Sequence, residues 1–302
     1  MTRTREDLDR LGVPSGDPSP APSSAKHFPD GAQYRIEIPS TEGPGAFRTV
    51  LDEARNLGVP VHRVSQGSGI MLLTDSEITE MADLGRANGV EVNLFVGPRA
   101  TFDVGAQAYA PAGNTLGLSL RGSEQLVYAI EDVRRAVDLG IQSVLVSDIG
   151  LLAILGKMKR AGNLPENLIL KTSVMMAPAN AASARVLEDL GATTINVPSD
   201  LTIGQLAAIR SAIDAPIDLY VEAPDNLGGF VRHYEVPEFI RVAAPLYVKL
   251  GLRNAPDVYP SGTHVEPTVV RLSRERVRRA RLVLDRISQY APNLRISEFN
   301  ED

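Results

Sequence analysis

From Tyr34 onward the chain repeats one pattern: a short, mostly apolar stretch, then a longer one whose apolar residues recur every three or four positions. The clearest run is IQSVLVSD then GLLAILGKMKRAG, LILKTS then NAASARVLEDLG, ATTINVPSD then TIGQLAAIRSAIDA, and finally PIDLYVE. The short stretches predict strands and the longer ones amphipathic helices. Strands separated by helices of this length pair in parallel, because each crossover must return the chain to its starting edge. Read the same way, 34–39, 59–66, 90–99 and 245–253 supply four more strands. Eight alternating strand–helix units predict an α/β fold, a (β/α)8 TIM barrel, over 32–302. Residues 1–31, which include DPSPAPSSAKHFPDG, have little to bury and predict a disordered or loosely packed N-terminal arm.

Most of these strands end in a polar residue, and parallel barrels keep their chemistry at the carboxyl ends of their strands. Alternation sorts side chains into one-face sets. These sets are Arg35 with Glu37; Glu91, Asn93 and Arg99; Val144, Val146 and Asp148; Ile169, Lys171 and Ser173; Thr194, Asn196 and Pro198; Asp218, Tyr220 and Glu222; and Tyr247, Lys249, Gly251 and Arg253. If these faces point inward, the barrel interior holds Glu37, Asn93, Asp148, Lys171, Asn196, Glu222 and Lys249. A polar interior is costly unless paired and used.

The chain has only five lysines, two of them mid-strand. A lysine between apolar walls has its pKa lowered and becomes a general base, an imine-forming amine or an anion ligand. The competing reading is a buried salt bridge with Glu37 or Glu222. Lys171, Lys249, Glu222, Glu37 and Asp148 are therefore the catalytic candidates. His62, Arg63, Gln66, Asn93, Arg99, Asn196 and Arg253 are the substrate-binding candidates, because several arginines at one rim suit a carboxylate or phosphate. The turn Gly67-Ser68-Gly69 offers backbone amides to an anion. A divalent metal, if present, would draw on Glu37, Asp148, Glu222 and His233, with His62 and His264 as further nitrogen donors, but no tight-spacing motif supports one.

Composition narrows the classes. A net charge of -6 argues against a nucleic-acid partner, and the apolar share of 43% suits a globular core. There is no cysteine, which removes disulfides, thiolate zinc sites, cysteine nucleophiles and cysteine-ligated iron–sulfur clusters. No stretch reads as a membrane span or signal peptide, so a cytoplasmic protein is expected. A homo-oligomer is left open. The loop 101–122 and the loop 254–267 are long enough to act as lids over a substrate.

The words AVDLG (136–140), VSDIGLL (146–152), KTS (171–173), NAA (180–182) and LEDLGA (187–192) occur in that order. Together they resemble the barrel of the U32 peptidase family. The resemblance implies the barrel and a hydrolase affiliation. Family members carry a cysteine-containing signature after strand seven, and those that hydroxylate RNA or quinones use a cysteine-ligated iron–sulfur cluster. Here the corresponding stretch, YVEAPDNLGGFVRHYE, has no cysteine, so neither feature carries over.

Three functions follow as expectations. The first is a lyase- or isomerase-type enzyme that acts on a small anionic substrate by Lys/Glu acid–base chemistry. The second is a metal- or water-dependent hydrolase of amide substrates. The third is a non-catalytic barrel that binds a ligand or partner.

Overall fold

The computed structural model describes residues 1–97 and 118–298. Its strands are β1 (Tyr34–Pro39), β2 (Arg63–Gln66), β3 (Glu91–Phe95), β4 (Ser143–Val146), β5 (Ile169–Thr172), β6 (Ile195–Asn196), β7 (Ile217–Glu222) and β8 (Leu246–Leu250). A helix follows each: α2 (Pro44–Leu57), α3 (Asp75–Ala87), α4 (Gly122–Asp138), α5 (Ile149–Arg160), α6 (Ala181–Leu190), α7 (Ile203–Ala212), α8 (Val236–Ala243) and α9 (Glu266–Tyr290). Helix α1 (Thr2–Arg10) precedes the barrel. All strand pairs are parallel, in the order β5-β4-β3-β2-β1-β8-β7-β6. The ring closes between β5 and β6 through a single bridge, Lys171 to Thr194, with Thr172 N–H donating to Thr194 O at 3.0 Å. The expected eight-unit TIM barrel is the fold.

Local chemistry sets the ends of the helices. Pro44 opens α2 and Gly58 closes it at φ 61°. Thr74 is the N-cap of α3; its hydroxyl accepts from Glu77 N–H while the Glu77 carboxylate accepts from Thr74 N–H. The same reciprocal box opens α6 at Asn180 and α7 at Thr202.

The main apolar core lies between strands and helices. Ile36, Ile38, Val64, Leu94, Leu170, Leu219 and Val248 are all fully buried there, against Phe47, Ile78, Leu155, Leu206 and Phe239. Each such side chain contributes about 1.5–3 kcal/mol. This outer face absorbs the apolar residues, leaving the inner face to the polar ones.

One strand departs from its expected facing. On β4, Ser143 is level with Asn93 and Leu145 with Lys171, so Ser143 and Leu145 face inward. Val144 and Val146 join the outer core. Asp148 therefore does not enter the barrel. Its Oδ1 caps α5 by accepting from Leu151 N–H at 2.8 Å, and its Oδ2 accepts from Leu120 N–H at 3.0 Å. The sequence SVLV is buried throughout, so alternation carried no information about its facing.

In the N-terminal segment, α1 has no buried residue, whereas the chain from Ala21 is tied to the barrel. Ser24 Oγ donates to Ala244 O, Lys26 Nζ donates to Ile213 O at 2.6 Å, and Arg241 donates to Ala21 O. Phe28 meets the Tyr247 ring edge-on at 5.2 Å. The long connection after β3 falls mostly outside the described residues, as does Arg99. No described helix is long and apolar enough to cross a membrane.

Candidate functional site

The inward faces bring together six buried or nearly buried charges. Glu37 (β1) and Asp218 (β7) are carboxylates at 0% exposure, and Glu91 (β3) lies below them at 16%. Facing them are Arg63 (β2), Lys171 (β5) and Lys249 (β8), at 1%, 0% and 3%. Lys171 Nζ rests against Glu37 Oε2 and lies 3.8 Å from Asp218 Oδ1. Lys249 Nζ is 3.3 Å from Glu37 Oε1. Arg63 reaches Asp218 at 2.6 Å, Glu91 at 2.8 Å and Glu37 at 3.4 Å. Three cations and three carboxylates leave the cluster electrically balanced.

Neutral donors and rings complete it. Ser65 Oγ donates to Glu37 Oε1 at 2.8 Å, and Thr194 Oγ1 donates to Asp218 Oδ2. Asn93 donates to Ser143 Oγ at 2.7 Å. Asn196, in the amide orientation that satisfies both its ends, accepts from Lys249 Nζ at 3.0 Å. Lys249 Nζ lies 4.3 Å from the Tyr220 ring centre, and the Arg63 guanidinium stacks on Tyr247 at 3.5 Å.

Electrostatics follow from this packing. Burial alone would raise the Glu37 carboxyl, but Lys171, Lys249 and Arg63 together hold it far below the usual range. Burial would depress Lys249, yet Glu37, Tyr220 and Asp218 hold it above the usual lysine value. Burial prevails at Lys171, bringing it down to about 8 against the pull of Asp218 and Glu37. Both lysines are thus ammonium ions at neutral pH.

Glu222 belongs to a different group. A bulge at the end of β7 pairs Tyr220 with Lys249 but Glu222 with Leu250, a residue of the outer core. Its carboxylate faces His233 and α9 instead of the lysines. Glu222 Oε2 lies 3.0 Å from His233 Nε2 and 3.7 Å from Arg279 Nη1, and Oε1 accepts from Arg253 N–H at 3.2 Å. The Glu222–His233 contact is not well aligned as a hydrogen bond, and neither atom has another hydrogen-bond partner. Burial would raise Glu222; the His233 ring, the Arg253 amide and Arg279 bring it below the usual carboxylate value.

The sequence after β7 places His233. Gly228 and Gly229 take φ 99° and 65°, and a Cβ at Gly228 would lie 2.6 Å from the Phe230 ring. The chain turns there and returns antiparallel, with Val231 bridging Glu222. Arg232 then pins the return by donating to Ser199 O and Leu201 O, both at 2.8 Å, and by pairing with Glu235.

Of the residues singled out in the sequence, Glu37, Arg63, Asn93, Lys171, Asn196 and Lys249 share the barrel interior. Asp218, Glu91 and Thr194 complete that cluster; Asp218 stood on the right strand face but was not among the candidates. His62 stands apart, accepting from Ile36 N–H at 3.0 Å through Nδ1, with Nε2 3.0 Å from Ser297 O. Gln66 spends its amide on Gly69, bonding both its N–H and its carbonyl at 3.1 Å. The Gly67 and Ser68 amides point at Glu42, at 2.6 and 3.0 Å. Arg253 stays at the rim, 61% exposed and 3.7 Å from Asp225. Glu37, Asp148, Glu222 and His233 do not converge, and among the described residues no three histidine or carboxylate side chains gather as a metal-binding group. His264 is exposed.

Comparison with known proteins bears on the same region. Residues 116–223 match the profile of peptidase family U32. The U32-like stretch runs through α4 to the end of β7 and contains the words that carry the sequence resemblance. A solved U32 peptidase is 18% identical, with 66% of this chain and 73% of that one aligned at a TM-score of 0.43. A proposed fructose-1,6-biphosphate aldolase from Coccidioides immitis is 12% identical over 85% of this chain and 93% of its own, with a TM-score of 0.51. A proposed lyase or mutase from Burkholderia cenocepacia is 13% identical over 86% and 85%, at 0.46. At such identities the aldolase match speaks for the barrel fold alone. No curated protein sequence matches the chain.

Proposed function

We propose that this barrel is an enzyme of lyase or isomerase type that moves a proton on a small anionic substrate, with Glu222 and His233 as the acting pair. The observation that carries the reading is the pair itself: a carboxylate 1% exposed at the carboxyl end of a barrel strand, 3.0 Å from an imidazole nitrogen, neither atom otherwise hydrogen-bonded, with Arg279 3.7 Å from the carboxylate. With the proton on Nε2 facing Glu222, His233 presents Nδ1 as the base, and the ionised carboxylate stabilises the imidazolium that forms. Arg253, exposed beside Glu222, attracts the substrate anion.

In this reading Lys171 and Lys249 are not the base or an imine-forming amine. They are fixed positive charges that neutralise Glu37 and Asp218 beneath the site. The same imidazole can activate water, and the U32-like stretch favours amide hydrolysis as the second reading.

The test is solvent-deuterium exchange into small 2-keto acids and phosphorylated sugars, followed by NMR. His233→Asn is expected to slow exchange by roughly 10²- to 10⁴-fold, and Glu222→Gln by at least about tenfold. Exchange that survives both substitutions contradicts the assignment. Cleavage of amide substrates without any exchange moves hydrolysis to the front.

A further inference from the structure

The turn after β2 holds an anion that belongs to the chain itself. Gly67 N–H donates to Glu42 Oε1 at 2.6 Å and Ser68 N–H donates to Oε2 at 3.0 Å, one carboxylate oxygen on each amide. Two successive amides converging on one planar anion form a backbone nest. It lies at the carboxyl end of a barrel strand.

A second feature faces the same place. Arg276 of α9 is 4% exposed, makes no ion pair among the described residues, and leaves its Nε without a hydrogen-bond partner. Its Nη1 donates to Ser40 O at 3.3 Å. Burial lowers its affinity for a proton, and the nearby Tyr259, Tyr220 and Glu42 only partly offset this. A buried guanidinium with no carboxylate in ion-pair contact is costly to maintain, and an arriving anion relieves the cost.

The loop after β8 covers this place. Tyr259 OH meets Ser40 Oγ at 2.5 Å, and Ser261 N–H donates to Ser68 Oγ at 2.7 Å. A Cβ on Gly67 would lie 2.5 Å from the Tyr259 ring, so only glycine lets the loop close.

We infer that the Gly67 and Ser68 amides together with Arg276 form a carboxylate-binding subsite, in which the Glu42 side chain stands in for the carboxylate of a ligand. Arg276 and Arg279 are three residues apart on α9, about 4.5 Å along its axis. Arg279 contacts Glu222, so the subsite and the Glu222–His233 pair share one helix face. The inference deepens the function proposed above by naming the group the substrate presents, but it is read from binding, not turnover. The ligand class is a small carboxylate, because the occupant is a planar two-oxygen anion seated one oxygen to each amide.

The experiment is an NMR titration of the full chain with pyruvate and, separately, inorganic phosphate. Glu42→Ala vacates the nest and Glu42→Gln strips its occupant of charge and of one acceptor; both are expected to tighten pyruvate binding over wild type, the alanine variant at least tenfold. Arg276→Met is expected to weaken it at least tenfold. If that variant does not fold, Arg276→Lys takes its place, with weaker binding expected again. Unchanged or weaker pyruvate binding in both Glu42 variants overturns the proposal, as does phosphate binding more tightly than pyruvate. Loss of proton exchange in Glu222→Gln with no effect of Glu42 removes this inference and leaves the proposed function standing. Tighter binding in the Glu42 variants with no exchange in wild type does the reverse.

Discussion

The barrel interior and the end of β7 are both built from buried charge, yet they solve the cost of burial in opposite ways. Inside the barrel, Glu37, Asp218 and Glu91 are matched by Arg63, Lys171 and Lys249, and serine, threonine and asparagine side chains take up remaining hydrogen bonds. At β7, Glu222 and His233 have one poorly aligned contact to each other, and Glu222 has besides only the Arg253 N–H on Oε1 and a distant arginine. A charge-matched network makes the centre rigid, whereas a sparsely bonded pair at a strand end leaves capacity for a ligand or a proton. The interior has one such contact too, Arg63 Nε to Glu91 Oε1 at 2.8 Å, at the amino end of β3, so an unspent bond marks a reactive group only together with a place at the carboxyl end of a strand.

The sharpest way to break that contrast is to remove one interior charge. Lys171→Met leaves Glu37 and Asp218 short of a cation and is expected to cost about 3–5 kcal/mol in urea unfolding. His233→Asn should change stability by less than about 1 kcal/mol while slowing proton exchange by roughly 10²- to 10⁴-fold. A small loss from Lys171→Met would mean that the interior is not a structural network.

Acid sharpens the comparison next. His62 has its pKa lowered to about 4 from 6.5 by burial, so the unfolded chain takes up its proton first. Stability should fall as pH drops from 6.5 towards 4, by up to about 3 kcal/mol, and His62→Gln should flatten that limb. Glu37 is held below its ordinary 4.5, so its contribution is complete above that value and is lost only at still lower pH. Urea midpoints across pH 3–8 separate the two.

Gly228→Ala acts on the other region. The residue sits at φ 99° and the added methyl meets the Phe230 ring, so about 1–2 kcal/mol of strain is expected. The strain displaces His233, and proton exchange should fall more than stability does. Thr74→Ala touches neither region and calibrates the scale: loss of the α3 cap should cost about 1 kcal/mol with exchange unchanged.

How much of this was legible depended on the strand. β1, β5 and β8 carry a charged residue among apolar neighbours, and alternation placed Glu37, Lys171 and Lys249 on one inner face. β4 has no such marker, so Asp148 read as an interior residue when it is a helix cap. At β7 the bulge breaks the period of two. Glu222 therefore leaves the face that Asp218 and Tyr220 occupy, and no sequence pattern announces a bulge of that kind. His62 and Arg63 are adjacent and share a chemistry on paper, but strand alternation sends them to opposite faces. Arg63 was expected to hold a substrate and instead binds three of the chain's own carboxylates. The Gly67-Ser68 nest was visible as a turn suited to an anion; that its occupant is Glu42 required the fold.

The account rests on Lys171 and Lys249 being closed off and spent. Reductive methylation of the native protein, read lysine by lysine by mass spectrometry, tests this directly. Lys157, exposed at the surface, should be modified fully, while Lys171 and Lys249 stay unmodified until the protein is unfolded. Modification of either interior lysine at the rate of Lys157 in the folded protein, or its capture as a reduced imine with pyruvate, would contradict the account and return those lysines to the centre of the chemistry.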